Sequence, residues 1–519
     1  MNHFNRGLRW ITATLFLISA FLAPRPAAAT IQYRVSLEEP AQHLFRVTMT
    51  IPVEGREVVT AMPAWNALYR VRDFALRMEG LHGICPAMIG VPLAKHQIDK
   101  QTWRFSLDGA CQPGDHNTFE IQYAIEWNDL GPFNSQIDAH HAFMNLAEIL
   151  MYVPDRRKED VSVQFVDLPS GWRTAAESVA VHVPNEYIAQ SYDGLVDAPV
   201  EAGKFDEFEF TESGAEFRVV VDSHSWNKAI LEEALHRITG YELKLMGDVP
   251  FDPPYKRYTF FFHIGPDGDV EGGGMEHRNS TAISATTTEG AVAVSAHEFF
   301  HVWNVKRIRP QSLEPVDYTK EQYTRALWFA EGVTSAYASY TLARTGLWSK
   351  TQFFSDLAQQ IGELQSRPAR AWQSVEESSL DAWFEKYDGY NTPYHSISYY
   401  NKGQIVGFLL DLAIRDATDN HKSLDDVLRR MNAEYAQKGK FYDDSAGIRA
   451  VVEEVTGKSF ADFFNRYVSG TDEIPYADFL SIAGLELQIG TGRAAIGEVA
   501  HPTERQRRIL EGVLHGSND

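Results

Sequence analysis

The chain has 519 residues, 44% apolar and 23% charged, with 36 Gly, 23 Pro and 2 Cys. That composition excludes collagen-like, disordered and disulfide-scaffold proteins and points to several packed domains. Asp and Glu number 70 against 48 Lys and Arg, for a net charge of −22, which argues against general binding to nucleic acid or anionic membranes, since both draw on basic patches.

Residues 1–29 read as a signal peptide. Arg6 and Arg9 precede an apolar run over 11–23, and Ala27-Ala28-Ala29 supplies small residues for cleavage before Thr30. The run is short for a bilayer span, and no later stretch resembles one. The mature protein is therefore expected to be exported, in a bacterial periplasm, with no stable membrane insertion. In that compartment Cys85 and Cys111 favour one disulfide over two buried free thiols.

Residues 30–195 alternate with period two, as in 44–51, 102–107 and 118–127, and predict an N-terminal antiparallel β domain, a sandwich or saddle. Strand character continues through 205–222, a helix is expected over 229–246, and Arg257–Ile264 is a strong strand followed by Gly272-Gly273-Gly274. From Ala291 the apolar spacing is nearer 3.6, predicting helices over 321–343, 350–365, 402–417 and 424–437. The expected fold is α+β and multidomain, with residues 196–487 combining a mixed β subdomain and a helical lobe.

The string that carries chemistry is His297-Glu298-Phe299-Phe300-His301. Residues four apart share a helix face, so both imidazoles can hold one metal ion, with Glu298 near enough to take a proton from a water. The competing reading is a histidine pair packed in an aromatic core. Glu331 offers a third ligand: its neighbours are apolar, and a buried acid needs a cation. Gly332 predicts close packing of this segment on the motif helix, and Ser335 is placed to orient a ligand. In Gly273-Gly274-Met275-Glu276-His277 an edge strand can pair with a peptide backbone while Glu276 anchors a free α-ammonium; the alternative is a turn with a solvated acid. A hydroxyl from Tyr399-Tyr400 can stabilise an oxyanion.

The strings GGMEH, HEFFHVWNVKRIRP, WFAEGVTSAY and SYYNKG resemble the glycyl aminopeptidase family of zinc metallopeptidases, gluzincins that share the broad plan of aminopeptidase N. The resemblance continues upstream in PAWNALYRVRDFA, HHAFMNLAEILMYVP and YDGLVDAPVEAGKF. It implies a thermolysin-like catalytic domain over 196–487, with one Zn²⁺ per chain on His297, His301 and Glu331. It further implies Glu298 as general base, Tyr400 as the transition-state tyrosine, and Gly273, Gly274 and Glu276 as the substrate-binding motif. Relatives carry a PDZ domain; residues 488–519 are too few for a fold of roughly 80–100 residues and are expected to form a short exposed tail.

These readings converge on an exported zinc aminopeptidase that releases N-terminal residues, Gly or Ala, from peptide substrates. Two alternatives stand beside it: a zinc endopeptidase on extended peptides, and a catalytically silent peptide-binding protein. Cobalt or manganese would also suit a His₂Glu site.

Overall fold

The computed structural model describes residues 30–516 except 67–68, 87–91, 108–110, 112–116, 178, 181–182, 252–256, 267–269 and 491–492. The expected signal peptide, residues 1–29, lies outside the described residues.

Alternation builds the N-terminal domain. Ile31, Tyr33, Val35 and Leu37 are buried along Ile31–Glu39, and Phe45, Val47, Met49 and Ile51 along Leu44–Pro52. Period two sends each set to one face, so pairing these strands creates a continuous apolar surface. They lie in a seven-stranded sheet ordered Val179–Ala180, Glu186–Ala189, Val161–Val166, Ile31–Glu39, Leu44–Pro52, Thr118–Glu126, Met78–Ile84. Its pairings are antiparallel except that Ile31–Glu39 runs parallel to Val161–Val166. Two smaller sheets contribute to the same core, in which Cys85 and Cys111 are buried and disulfide-bonded, with Cα atoms 5.7 Å apart.

The first domain extends beyond the expected boundary at 195. Strand Val200–Gly203 pairs antiparallel with His141–Met144 and with Arg173–Ala176, so the chain leaves this domain only after Gly203. The short helix Tyr192–Val196, which the boundary would have cut, merely turns the chain back into that sheet.

The second domain begins with a five-stranded sheet ordered Asp206–Glu212, Ala215–Ser223, Arg257–Ile264, Ser280–Ala285, Gly273–Glu276. Its three central strands are parallel and both edge strands antiparallel. Helix Lys228–Met246 makes the crossover between the first two parallel strands, with Asn227 Oδ1 accepting from the Ile230 amide at its start. Phe143, Ala175 and Phe205 of the first domain pack against Val220, Phe261 and Ala282 of this sheet, joining the two domains.

The helical lobe departs from expectation in two places. A regular α-helix runs only over Thr334–Arg344, because Trp328–Val333 winds as a π turn and the residues before it are irregular. The C-terminal segment, expected as an exposed tail, is instead folded onto the lobe. Strands Leu485–Gly490 and Arg493–Glu498 form a hairpin, and helix Glu504–His515 buries Ile509, Leu510, Val513 and Leu514 in the main core. Those four residues form a helical stripe, and Arg344 Nε donates to the Val513 carbonyl at 2.9 Å. The charged run at 504–508 obscured that stripe in the sequence. No helix among the described residues is long and apolar enough to cross a membrane.

Candidate active site

The motif lies at the end of helix Thr288–Phe300, whose start is capped by Thr287 Oγ1 accepting from the Gly290 amide. His301 caps its other end and keeps right-handed helical geometry, so the i, i+4 relation to His297 holds. The two Nε2 atoms face each other at 2.9 Å. His301 Nδ1 lies 2.6 Å from the Asn304 carbonyl, which only accepts, so Nδ1 carries the proton and Nε2 a lone pair. His297 Nδ1 contacts Ser335 Oγ at 3.3 Å, while that hydroxyl donates to the Glu331 carbonyl at 3.0 Å. The second imidazole is thereby held in the same tautomer.

Glu331 Oε2 completes a triangle, 3.3 Å from His301 Nε2 and 3.5 Å from His297 Nε2. Ligands on a tetrahedral zinc stand about 3.3–3.5 Å apart. The two edges to Glu331 match that spacing, while the two Nε2 atoms stand closer, at 2.9 Å; two imidazoles and one carboxylate converging in this way call for a positive charge between them and suit zinc. The residues present fit the ion.

The π turn and helix Tyr399–Ala417 meet without side chains between them. A Cβ on Gly332 would lie 2.5 Å from Gly403 Cα and 2.7 Å from the Tyr399 carbonyl. The close packing expected from Gly332 therefore exists, but its partner is the tyrosine helix rather than the motif helix. That contact brings Tyr400 to the cleft, its ring 6.3 Å from the His297 ring. Tyr399, buried beside it, lines the same cavity.

Strand Gly273–Glu276 forms the opposite wall as an exposed sheet edge. Gly274 is required here for a reason beyond substrate approach: a Cβ would overlap the Glu298 carboxylate. Gly273 has φ +143°, a conformation that favours glycine, under the Phe133 ring. Glu276 faces inward, and Glu276, Glu298 and His301 each offer a ligand-type atom within 4.8 Å of the others. His277 points away; its Nδ1 lies 3.2 Å from Asp197, which also receives Lys306 Nζ at 2.9 Å. This pins the strand end that carries Glu276.

Of the eight residues singled out from sequence, Gly274, Glu276, His297, Glu298, His301, Glu331 and Tyr400 line one cleft with a cavity of about 230 Å³, and Gly273 stands next to it on the edge strand. Sequence reasoning did not isolate Tyr69, Arg70, Phe133, Glu385 and Asn391, which also line it. They come from loops of both domains with no periodicity to mark them. Asn304 was likewise unweighed: its Nδ2 donates to the Phe329 carbonyl and Thr334 Oγ1, tying the motif helix to the Glu331 segment.

Residues 291–406 match the M61 glycyl aminopeptidase model and residues 32–204 match the Peptidase M61 N-terminal domain, together more than half the chain. The chain belongs to the M61 glycyl aminopeptidase family. As a member of that family it is a zinc metallopeptidase of the aminopeptidase type. An aminopeptidase N family protein from Idiomarina loihiensis superposes with a TM-score of 0.80 at 25% identity, over 88% of this chain and 79% of that one. An M1 zinc metallopeptidase from Deinococcus radiodurans shares the fold, with a TM-score of 0.51 at 15% identity over 86% and 94% of the two chains. No curated protein matches the sequence at a significant level.

Electrostatics separate the carboxylates of this M61 family member. Burial pushes Glu298 up to about 8, helped by the nearby Glu276 and Glu331 charges. Burial also opposes ionisation of Glu331, yet a positive charge among the imidazoles, a proton on His301 or an ion in its place, overcomes it and holds that carboxyl well below the usual range. Desolvation of its hydroxyl in the cleft, on a residue 41% exposed overall, and the carboxylate of Glu331 keep the Tyr400 phenol well above its ordinary value, hence a donor.

Proposed function

We propose that this protein is an exported aminopeptidase that removes small N-terminal residues, Gly or Ala, from peptides, with one Zn²⁺ in the cleft held by His297, His301 and Glu331. The observation that carries the reading is the placement of Glu276. Its carboxylate stands within 4.8 Å of Glu298 and His301, so a cation bound to it lies about one residue from the reacting carbonyl. An α-ammonium is the cation a peptide brings to that distance. The family description and the aromatic wall of Tyr69 and Phe133 support a small side chain there.

Zinc supplies Lewis acidity that polarises the scissile carbonyl and activates water. Glu298 takes the proton of the attacking water: its Oε2 is buried with no hydrogen-bond partner among the described residues, and its raised pKa suits it to pass that proton to the departing amine. Tyr400 donates to the carbonyl oxygen as charge develops on it. The open edge of Gly273–Glu276 pairs with the substrate backbone. A structure of a Deinococcus radiodurans M1 variant with a Tyr-Ser-Ala substrate, at a TM-score of 0.50 and 15% identity over 86% and 94% of the two chains, has the same fold; its ligand supports a peptide as the substrate class here.

The decisive experiment compares aminoacyl chromogenic amides with their N-acetylated counterparts. A charge-assisted hydrogen bond is worth about 1.5–3 kcal/mol, and acetylation also adds bulk where the substrate chain should end, so acetylated substrates should be cut at least about 10²-fold less efficiently. Equal cleavage of both would make the enzyme an endopeptidase. Export rests on the signal-like pattern at 1–29 and on the Cys85–Cys111 bond. Fractionation with N-terminal sequencing should find a mature chain starting at Thr30; a cytoplasmic protein retaining Met1 would refute it.

A further inference from the structure

A second group of ligand-type side chains stands where the two domains meet. His141 and Glu201 belong to paired strands of the first domain, His141–Met144 and Val200–Gly203. His263 and Asp222 belong to paired strands of the second, Arg257–Ile264 and Ala215–Ser223. Glu201 divides its carboxylate between the domains: Oε1 lies 3.0 Å from His141 Nδ1 and Oε2 lies 2.9 Å from His263 Nε2. Asp222 Oδ2 approaches the same His141 nitrogen at 3.6 Å. The ligand atoms of His141, Glu201 and His263 all fall within 4.8 Å of one another, the limit met by the cleft triad as well.

The environment favours an ion. Glu201 is 1% exposed and His141 8%, and the Phe143 ring meets the His263 ring edge-on at 4.8 Å. Burial disfavours a charge on His141, yet the Glu201 carboxylate pushes it up to about 9, so a proton there offsets one of the two carboxylate charges; a divalent cation displacing that proton would cancel both. Asp138 accepts from the backbone amides of His140 and His141 and so fixes the turn that delivers His141. Asp222, at 36% side-chain exposure, opens the cluster to solvent on one side and gives an ion its entry.

We infer that this seam is a second metal site, taking a zinc-class divalent ion through His141 Nδ1, His263 Nε2 and the Glu201 carboxylate, with Asp222 adding negative charge beside His141 from outside the ligand group. Two imidazole nitrogens select such an ion over calcium or magnesium, which prefer oxygen ligands throughout. Because its ligands come from strands of both domains, an ion held there clamps the N-terminal domain to the catalytic domain. It shares no residue with the cleft.

Zinc per chain, measured by mass spectrometry after zinc loading and exhaustive dialysis, tests this. Wild type should hold two ions. The cleft variant His297→Ala/His301→Ala should keep one, and the seam variant His141→Gln/His263→Gln should also keep one. Wild type with one ion and a cleft variant with none would overturn the proposal. Should the seam variant not fold, anomalous diffraction from wild-type crystals at the zinc edge decides: a peak among His141, Glu201, Asp222 and His263 is expected, and its absence at full cleft occupancy refutes the site. One ion in both wild type and cleft variant, with the peak at the seam, would sink the cleft reading and leave this one standing.

Discussion

Four glutamates line the cleft, and their surroundings rather than their chemistry assign them different tasks. Glu331 faces the two imidazoles and stays ionised, as the ligand role proposed for it demands. Glu298 lies between the motif helix and Gly274, desolvated and with Oε2 unpartnered among the described residues, so its affinity for a proton is high. Replacing Glu298 with Gln keeps the shape and the ligand triangle but removes the proton acceptor. Turnover should fall by about 10²–10⁴-fold with zinc content unchanged, as checked by steady-state kinetics beside metal analysis. A variant that lost zinc instead would make Glu298 part of the metal site. Tyr400→Phe should lower kcat by about 10²–10³ with little change in KM, since the phenol acts on charge that exists only in the transition state. A change confined to KM would make Tyr400 a binding residue.

Among the elements, the π turn Trp328–Val333 decides where Glu331 points. A π turn inserts one residue into a helix and rotates the residues beyond it, and such turns recur at functional sites. Here it is held by backbone contact with helix Tyr399–Ala417, through Gly332 on one side and Gly403 on the other. One pair of glycines therefore sets the position of a ligand and of Tyr400 together. Gly332→Ala forces a methyl group against backbone that cannot yield. Its cost should lie at the upper end of about 1–3 kcal/mol, read from chemical denaturation. Zinc affinity and kcat should fall with it, because both helices must separate. A stable Gly332→Ala enzyme with normal kinetics would show that the two elements move independently.

At the scale of the molecule, the cleft is made from both domains. Tyr69 and Phe133 reach it from the first, while the motif helix, the edge strand and the lobe supply the rest. Stability of the first domain should therefore bear on activity. The Cys85–Cys111 bond joins residues 26 apart in sequence within that domain's core. Closing a loop of that length should contribute about 3.5 kcal/mol. Cys85→Ala/Cys111→Ala should lower the first unfolding transition by that amount while leaving the zinc content of the cleft intact. Identical transitions for oxidised wild type and the double variant would show that the bond adds nothing.

The residues proposed to do the chemistry were legible in the sequence because they sit at spacings a helix or strand turns directly into geometry. His297 and His301 share a face by periodicity alone, and Glu331 stood out as an acid among apolar neighbours. The strands of the first domain were equally readable, since period two needs no knowledge of the partner strand. What sequence could not supply is whatever depends on distant segments meeting. Gly332 announced a close contact but not that Gly403 would be its partner. The stripe Ile509, Leu510, Val513 and Leu514 found its place only against a lobe assembled from segments far earlier in the chain, as the Arg344–Val513 bond, 169 positions apart, shows. Gly274 read as room for substrate, yet the tertiary fold also assigns that space to Glu298. The seam of His141, Glu201, Asp222 and His263 joins four strands spread over both domains, and local periodicity carries no trace of it.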